Sequence, residues 1–137
     1  MRRSRQIAGV VLVLGVWAMI APYVGPALGF VVQQTALTEF VDHVVPAVPV
    51  LVVAAYAAAT GRFPLPAALL ALLCGFWMAG THVPLVGQAV QGLVGFDAAL
   101  FHSVPGFAIL ALAVVVAVWA WRAEAQAERA ASGRVSQ

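Results

Sequence analysis

Three histidines, His43, His82 and His102, are the residues of this chain best suited to chemistry. Neutral imidazole is the commonest metal ligand, and a carboxylate neighbour fixes its tautomer. Glu39, Asp42 and Asp97 lie close to the histidines in sequence. Two imidazoles from facing helices ligate a haem iron axially, whereas three imidazoles, or two with a carboxylate, suit zinc or copper. The alternatives to a chain without a cofactor are therefore haem b held by His43 and His102, or a transition metal held by His43, His82 and His102. Against both stands the spacing, since no single helix carries a His-x3-His or Glu-x-x-His pair. A histidine that opens a helix near a membrane interface also caps backbone groups or faces lipid headgroups. The spacing favours that structural role, so no cofactor is expected.

The rest of the sequence holds no catalytic set. There is no glycine-rich phosphate loop, no nucleophile with a base at a working spacing, and no buried carboxylate pair, so a non-enzymatic protein is expected. The single cysteine, Cys74, lies in an apolar run and reads as a small buried hydrophobe. The basic residues are all arginines, and none forms a stripe through a folded segment, which argues against nucleic-acid binding.

The elements that position the histidines follow from composition. Of 137 residues, 64% are hydrophobic and only 9% charged, with a mean hydropathy of +1.00. A soluble domain carries about 25% charged residues, so the solvent matched to this surface is lipid. Four apolar runs free of Asp, Glu, Lys and Arg occur at about Ile7 to Val24, Val44 to Thr60, Leu65 to Gly80 and Val104 to Trp121. Each approaches the length of a membrane-spanning helix, and helix is the only open-chain state that satisfies its own backbone in lipid. A tight turn, Gly61-Arg62-Phe63-Pro64, joins the second run to the third. The longer linkers, Gly25 to His43 and Thr81 to Ser103, mix Gln, Glu and Asp with apolar residues and are expected to be interfacial helices or compact loops.

Arg2, Arg3, Arg5, Arg62, Arg122, Arg129 and Arg134 all fall on one side of such a four-span chain. The positive-inside rule makes that side the cytoplasm, with both termini there, in a multi-pass protein of the cell membrane. The first apolar run is longer than a signal-peptide core and lacks a clean cleavage site, so it is expected to be retained. Residues 122–137 form a cytoplasmic tail that extends the last helix and frays after Ser132-Gly133.

The two halves repeat each other. Gly15-Val16-Trp17 matches Gly75-Phe76-Trp77, and His43-Val44-Val45-Pro46 matches His102-Ser103-Val104-Pro105, in the same order. The membrane domain, residues 1–121, therefore consists of two helical hairpins, about 7–60 and 65–121. Both hairpins have the same orientation and are related by a pseudo-twofold axis along the membrane normal. His43 and His102 are equivalent, and His82 stands where the first copy has Pro22. This layout resembles the SPW-repeat family of small integral membrane proteins, with Ala21-Pro22-Tyr23 in the position of the family's Ser-Pro-Trp motif. Neither copy carries the literal motif. The resemblance implies the topology and no activity.

Four details of packing follow. Ala67, Ala71, Gly75 and Ala79 form a strip of small residues at four-residue steps, joined by the shorter series Ala54/Ala58 and Ala55/Ala59; such strips let helices approach closely. Trp17 and Trp77 are expected to fill the core. Asp42 and Ser103 are candidate helix caps, with Pro46 and Pro105 in the first turns behind them. Pro49 should kink the second helix. The fold expected is an all-α four-helix transmembrane bundle. The function expected is that of a structural or accessory membrane protein, acting through helix contacts with another membrane protein or with itself.

Overall fold

A computed structural model describes residues 2–135. Its architecture is all-helical. Helix α1 spans Arg2–Val24, α2 Ala36–Thr60, α3 Leu65–Val90 and α4 Phe96–Val135. All four are long and apolar enough to cross a membrane. The bundle turns large apolar side chains outward, among them Val13, Val52, Leu73 and Phe76, a surface suited to lipid.

Three of the helix boundaries have local causes. Gly61, at φ +72°, closes α2 with its N–H on the Ala57 carbonyl, and Pro64 sets off α3. Thr35 caps α2, its Oγ1 accepting from the Thr38 N–H at 3.1 Å.

The two long linkers are shorter than the sequence suggests. Helix α3 continues ten residues past Gly80, and α2 and α4 begin at Ala36 and Phe96. What was expected to be interfacial structure is mostly helix, because scattered Gln, Glu and Thr do not interrupt a helix whose other faces remain apolar. As a result Asp42 and Ser103 are not caps. Asp42 lies inside α2, and the Ser103 Oγ donates to Ala99 O one turn back at 2.6 Å. Pro46 and Pro105 are helix-interior, not first-turn, residues. Helix α4 extends through the tail to Val135, and the chain after it lies outside the described residues.

The helices form a ring, each packed on its two chain neighbours, with α1 against α4 closing it. The hairpins α1–α2 and α3–α4 are the tightest pairs. Equivalent glycines make the close approach in each: Gly15 faces the Leu51 side chain, and Gly75 lies against the Leu110 backbone. Val11, Ala18, Val50, Ala54, Cys74, Met78 and Ile109 make the largest core cluster. Ala71, Gly75 and Ala79 are buried as the strip required, whereas Ala55 and Ala59 face outward. Trp77 is 44% exposed, so it faces outward and is not a core filler. Trp17 is half-buried against Phe101, which in turn stacks on Phe30.

Candidate functional site

The three histidines meet. His43 on α2, His82 on α3 and His102 on α4 are each 3% exposed or less. They lie inside the bundle toward the end opposite the termini; His43 is seven residues into α2, about 10 Å along its axis. His43 and His82 sit edge to face with ring centroids 4.7 Å apart, and His43 and His102 with centroids 5.8 Å apart.

Proline placement explains how His43 is held. Pro22 has no N–H, so the carbonyl four residues earlier, Ala18 O, loses its helical partner. The Nδ1 of His43 lies 2.9 Å from that oxygen. A carbonyl only accepts, so Nδ1 carries the hydrogen. On α2 the residues Phe40–Val44 form a wide π turn in which the Val45 N–H reaches back to Phe40 O. The turn abuts Pro46, which cannot donate a regular helical bond. Such insertions often mark functional positions.

The other rings are held the same way by different carbonyls. His82 donates through Nδ1 to Met78 O, one turn back on its own helix. Thr81 Oγ1 donates to the same oxygen at 3.2 Å. His102 donates through Nδ1 to Ala98 O at 3.2 Å. Gly25 packs on its ring, and a Cβ there would lie 3.3 Å from His102 Cε1.

With Nδ1 committed on all three, each neutral ring offers a lone pair at Nε2. Those of His43 and His82 face each other at 3.1 Å. The Glu39 Oε2 lies 3.3 Å from the same His43 Nε2, yet it makes no hydrogen bond, and Glu39 is only 8% exposed. Two acceptor atoms, His82 Nε2 and Glu39 Oε2, thus lie against a third, His43 Nε2, with no donor among them. Left so, they repel and go unsatisfied, at a cost of about 1–3 kcal/mol per group. A cation placed between them, a proton or a metal ion, removes the conflict.

The site differs from the sequence expectation in two ways. The three candidate histidines do come together, with His102 further than His82 from His43 by ring centroid. Among the described residues, no group of three or more His, Cys, Asp or Glu side chains is placed, as it stands, to hold a metal ion. Of the three carboxylates close to the histidines in sequence, Glu39 is the one that reaches a ring. Its signal was the four-residue step to His43, which puts both on one face of a helix. Among the described residues Asp42 and Asp97 make no hydrogen bond or ion pair with the rings; Asp97 Oδ1 accepts from the Ala98 N–H at 2.9 Å.

Comparisons with protein-family models, with characterised proteins and with solved structures found no match to this chain.

Proposed function

We propose that this protein binds a first-row transition-metal ion within the bilayer, through the Nε2 atoms of His43 and His82 and the carboxylate of Glu39, with His102 closing on the ion as fourth ligand. The observation that carries this reading is the 3.1 Å between two Nε2 atoms whose rings each donate Nδ1–H to a backbone carbonyl. Two ligands on tetrahedral zinc at about 2.05 Å stand roughly 3.3 Å apart. The carbonyl bonds are the outer contacts that orient metal-binding imidazoles. Two or three imidazoles with one carboxylate suit Zn²⁺ or Cu²⁺.

A bare ion is favoured over haem. Axial haem ligands approach a flat macrocycle from opposite faces, and on the Nε2 side of His43 that space is filled by His82. The arginines Arg5, Arg62, Arg122 and Arg129 gather at the end bearing the termini. The positive-inside rule then places the metal site near the outer face of the cell membrane.

Detergent-purified protein, stripped by chelator and titrated with Zn²⁺ and Cu²⁺, tests the reading. One ion per chain is expected, with affinity reduced on the order of a hundredfold or more in His43→Ala and in His82→Ala. A chain that takes up neither ion, or variants that bind as the parent does, would sink it. The leading expectation from sequence, an accessory protein working through helix contacts, is supported by the outward-facing Ala55 and Ala59. The same titration separates the two readings, since helix contacts require no ion.

A further inference from the structure

The opposite end of the bundle holds a second place where charges stand without partners. Between the α2–α3 turn and α4 lies a cavity of about 640 Å³, lined by Tyr56, Arg62, Phe63, Trp119 and Glu124, with Ser4 of α1 beside them. Its size falls within the range of small-molecule sites, about 300–1,000 Å³.

The lining is graded along α4. Val116, Trp119 and Ala120 lie toward the membrane interior, and Glu124 and Ala127 lie one to two turns further out. Tyr56 is likewise one to two turns deeper in α2 than Arg62 in the turn beyond it. Apolar and aromatic groups therefore wall the deep part, and a cation and an anion flank the outer part. Arg62 and Glu124 are both exposed, and neither makes an ion pair among the described residues. The neighbouring arginine Arg5 is committed elsewhere, its Nη2 donating to Ala59 O at 3.3 Å.

A ligand that matches this lining needs an apolar body and a headgroup with both signs of charge. A phosphate would pair with Arg62 in a charge-assisted contact. A primary ammonium would donate hydrogen bonds to Glu124, which a quaternary ammonium cannot do. We infer that the cavity is a binding site for a zwitterionic phospholipid with a primary-amine headgroup, its phosphate on Arg62, its ammonium on Glu124 and its chains against Trp119 and Tyr56. The site is independent of the metal centre and stands or falls separately from it.

The test is native mass spectrometry of the delipidated full chain with four lipids of identical acyl chains: phosphatidylethanolamine, its mono-N-methyl form, phosphatidylcholine and phosphatidylglycerol. Retention of phosphatidylethanolamine at least fivefold above phosphatidylcholine is expected, with the N-methyl form between them. Glu124→Gln should level phosphatidylethanolamine with phosphatidylcholine while leaving phosphatidylglycerol unchanged. Arg62→Gln should weaken all four. Both residues are exposed, so neither substitution disturbs the helices, which circular dichroism checks. Equal retention of the four lipids, or the parent's preference surviving in both variants, overturns the proposal. Soluble phosphoethanolamine should not displace the bound lipid; if it does, the site recognises a free headgroup and the lipid assignment is wrong.

Discussion

The two hairpins begin from matching sequence and end in different chemistry. In the first, Pro22 releases Ala18 O, and His43 crosses from α2 to take it. In the second, His82 replaces the proline. The equivalent carbonyl, Met78 O, accepts the His82 ring itself, and His102 turns to Ala98 O on its own helix. One exchange of proline for histidine thus adds a third imidazole and frees His102 from the position its counterpart holds. A symmetric pair of hairpins would offer two histidines in equivalent places, whereas this pair brings together three rings of distinct attachment. The lesson is that a repeat gains a site where its copies cease to match, while the surrounding contacts stay alike.

Those surrounding contacts can be broken unequally. A Cβ on Gly75 would lie 2.9 Å from the Leu110 Cα, which is backbone and cannot step aside; a Cβ on Gly15 would meet side chains, those of Leu51 and Val50. Gly75→Leu should therefore cost about 3 kcal/mol, at the upper end for overpacking, and Gly15→Leu clearly less. Thermal unfolding of the two variants in detergent measures the difference. Equal losses would mean that the second hairpin is no more tightly closed than the first.

The histidine attachments predict a smaller asymmetry. His43→Ala leaves Ala18 O buried with no partner, a loss of about 2 kcal/mol. His102→Ala leaves Ala98 O with its helical N–H, and should cost below about 1 kcal/mol. Chelator-stripped protein must be used, so that a lost ion does not add to either figure. If His102→Ala proved the more damaging, the description of His43 as the ring that completes a broken helix would fail.

Much of this arrangement was legible in the sequence, for identifiable reasons. Four apolar runs without charge fixed the helix count, because lipid permits no other open-chain state. The paired Gly-x-Trp and His-x-Val-Pro segments defined the hairpins. The helix ends were misread where polar residues were taken for separate interfacial helices or compact loops, as at Thr81 and Gln88, which sit within α3. That error hid how close Glu39 comes to His43, since four residues apart means a shared face only if the chain there is helical. The sequence offered His43, His82 and His102 as one set only as an alternative, because their meeting depends on which neighbours pack around the rings. Trp77 misled in the opposite direction: its match to Trp17 suggested burial, but the outside of this bundle is as apolar as its inside.

A substitution that touches neither ring isolates the link between the two copies most cleanly. Pro22→Ala returns an N–H to α1 and lets it reclaim Ala18 O. The His43 ring then shares its acceptor and loses part of its orientation, with no ligand atom removed. Contacts of this outer kind alter metal affinity by about 10–100-fold when lost outright. Sharing should cost close to tenfold, or about 1.4 kcal/mol, while the helix itself is kept or strengthened by loss of the proline. Zinc titration and thermal unfolding of the stripped variant together separate the two consequences: affinity should fall as stability holds or rises. An affinity unchanged from the parent would show that His43 is oriented by the packing of His82 and Glu39 rather than by the carbonyl that Pro22 sets free, and the difference between the two hairpins would then lie in His82 alone.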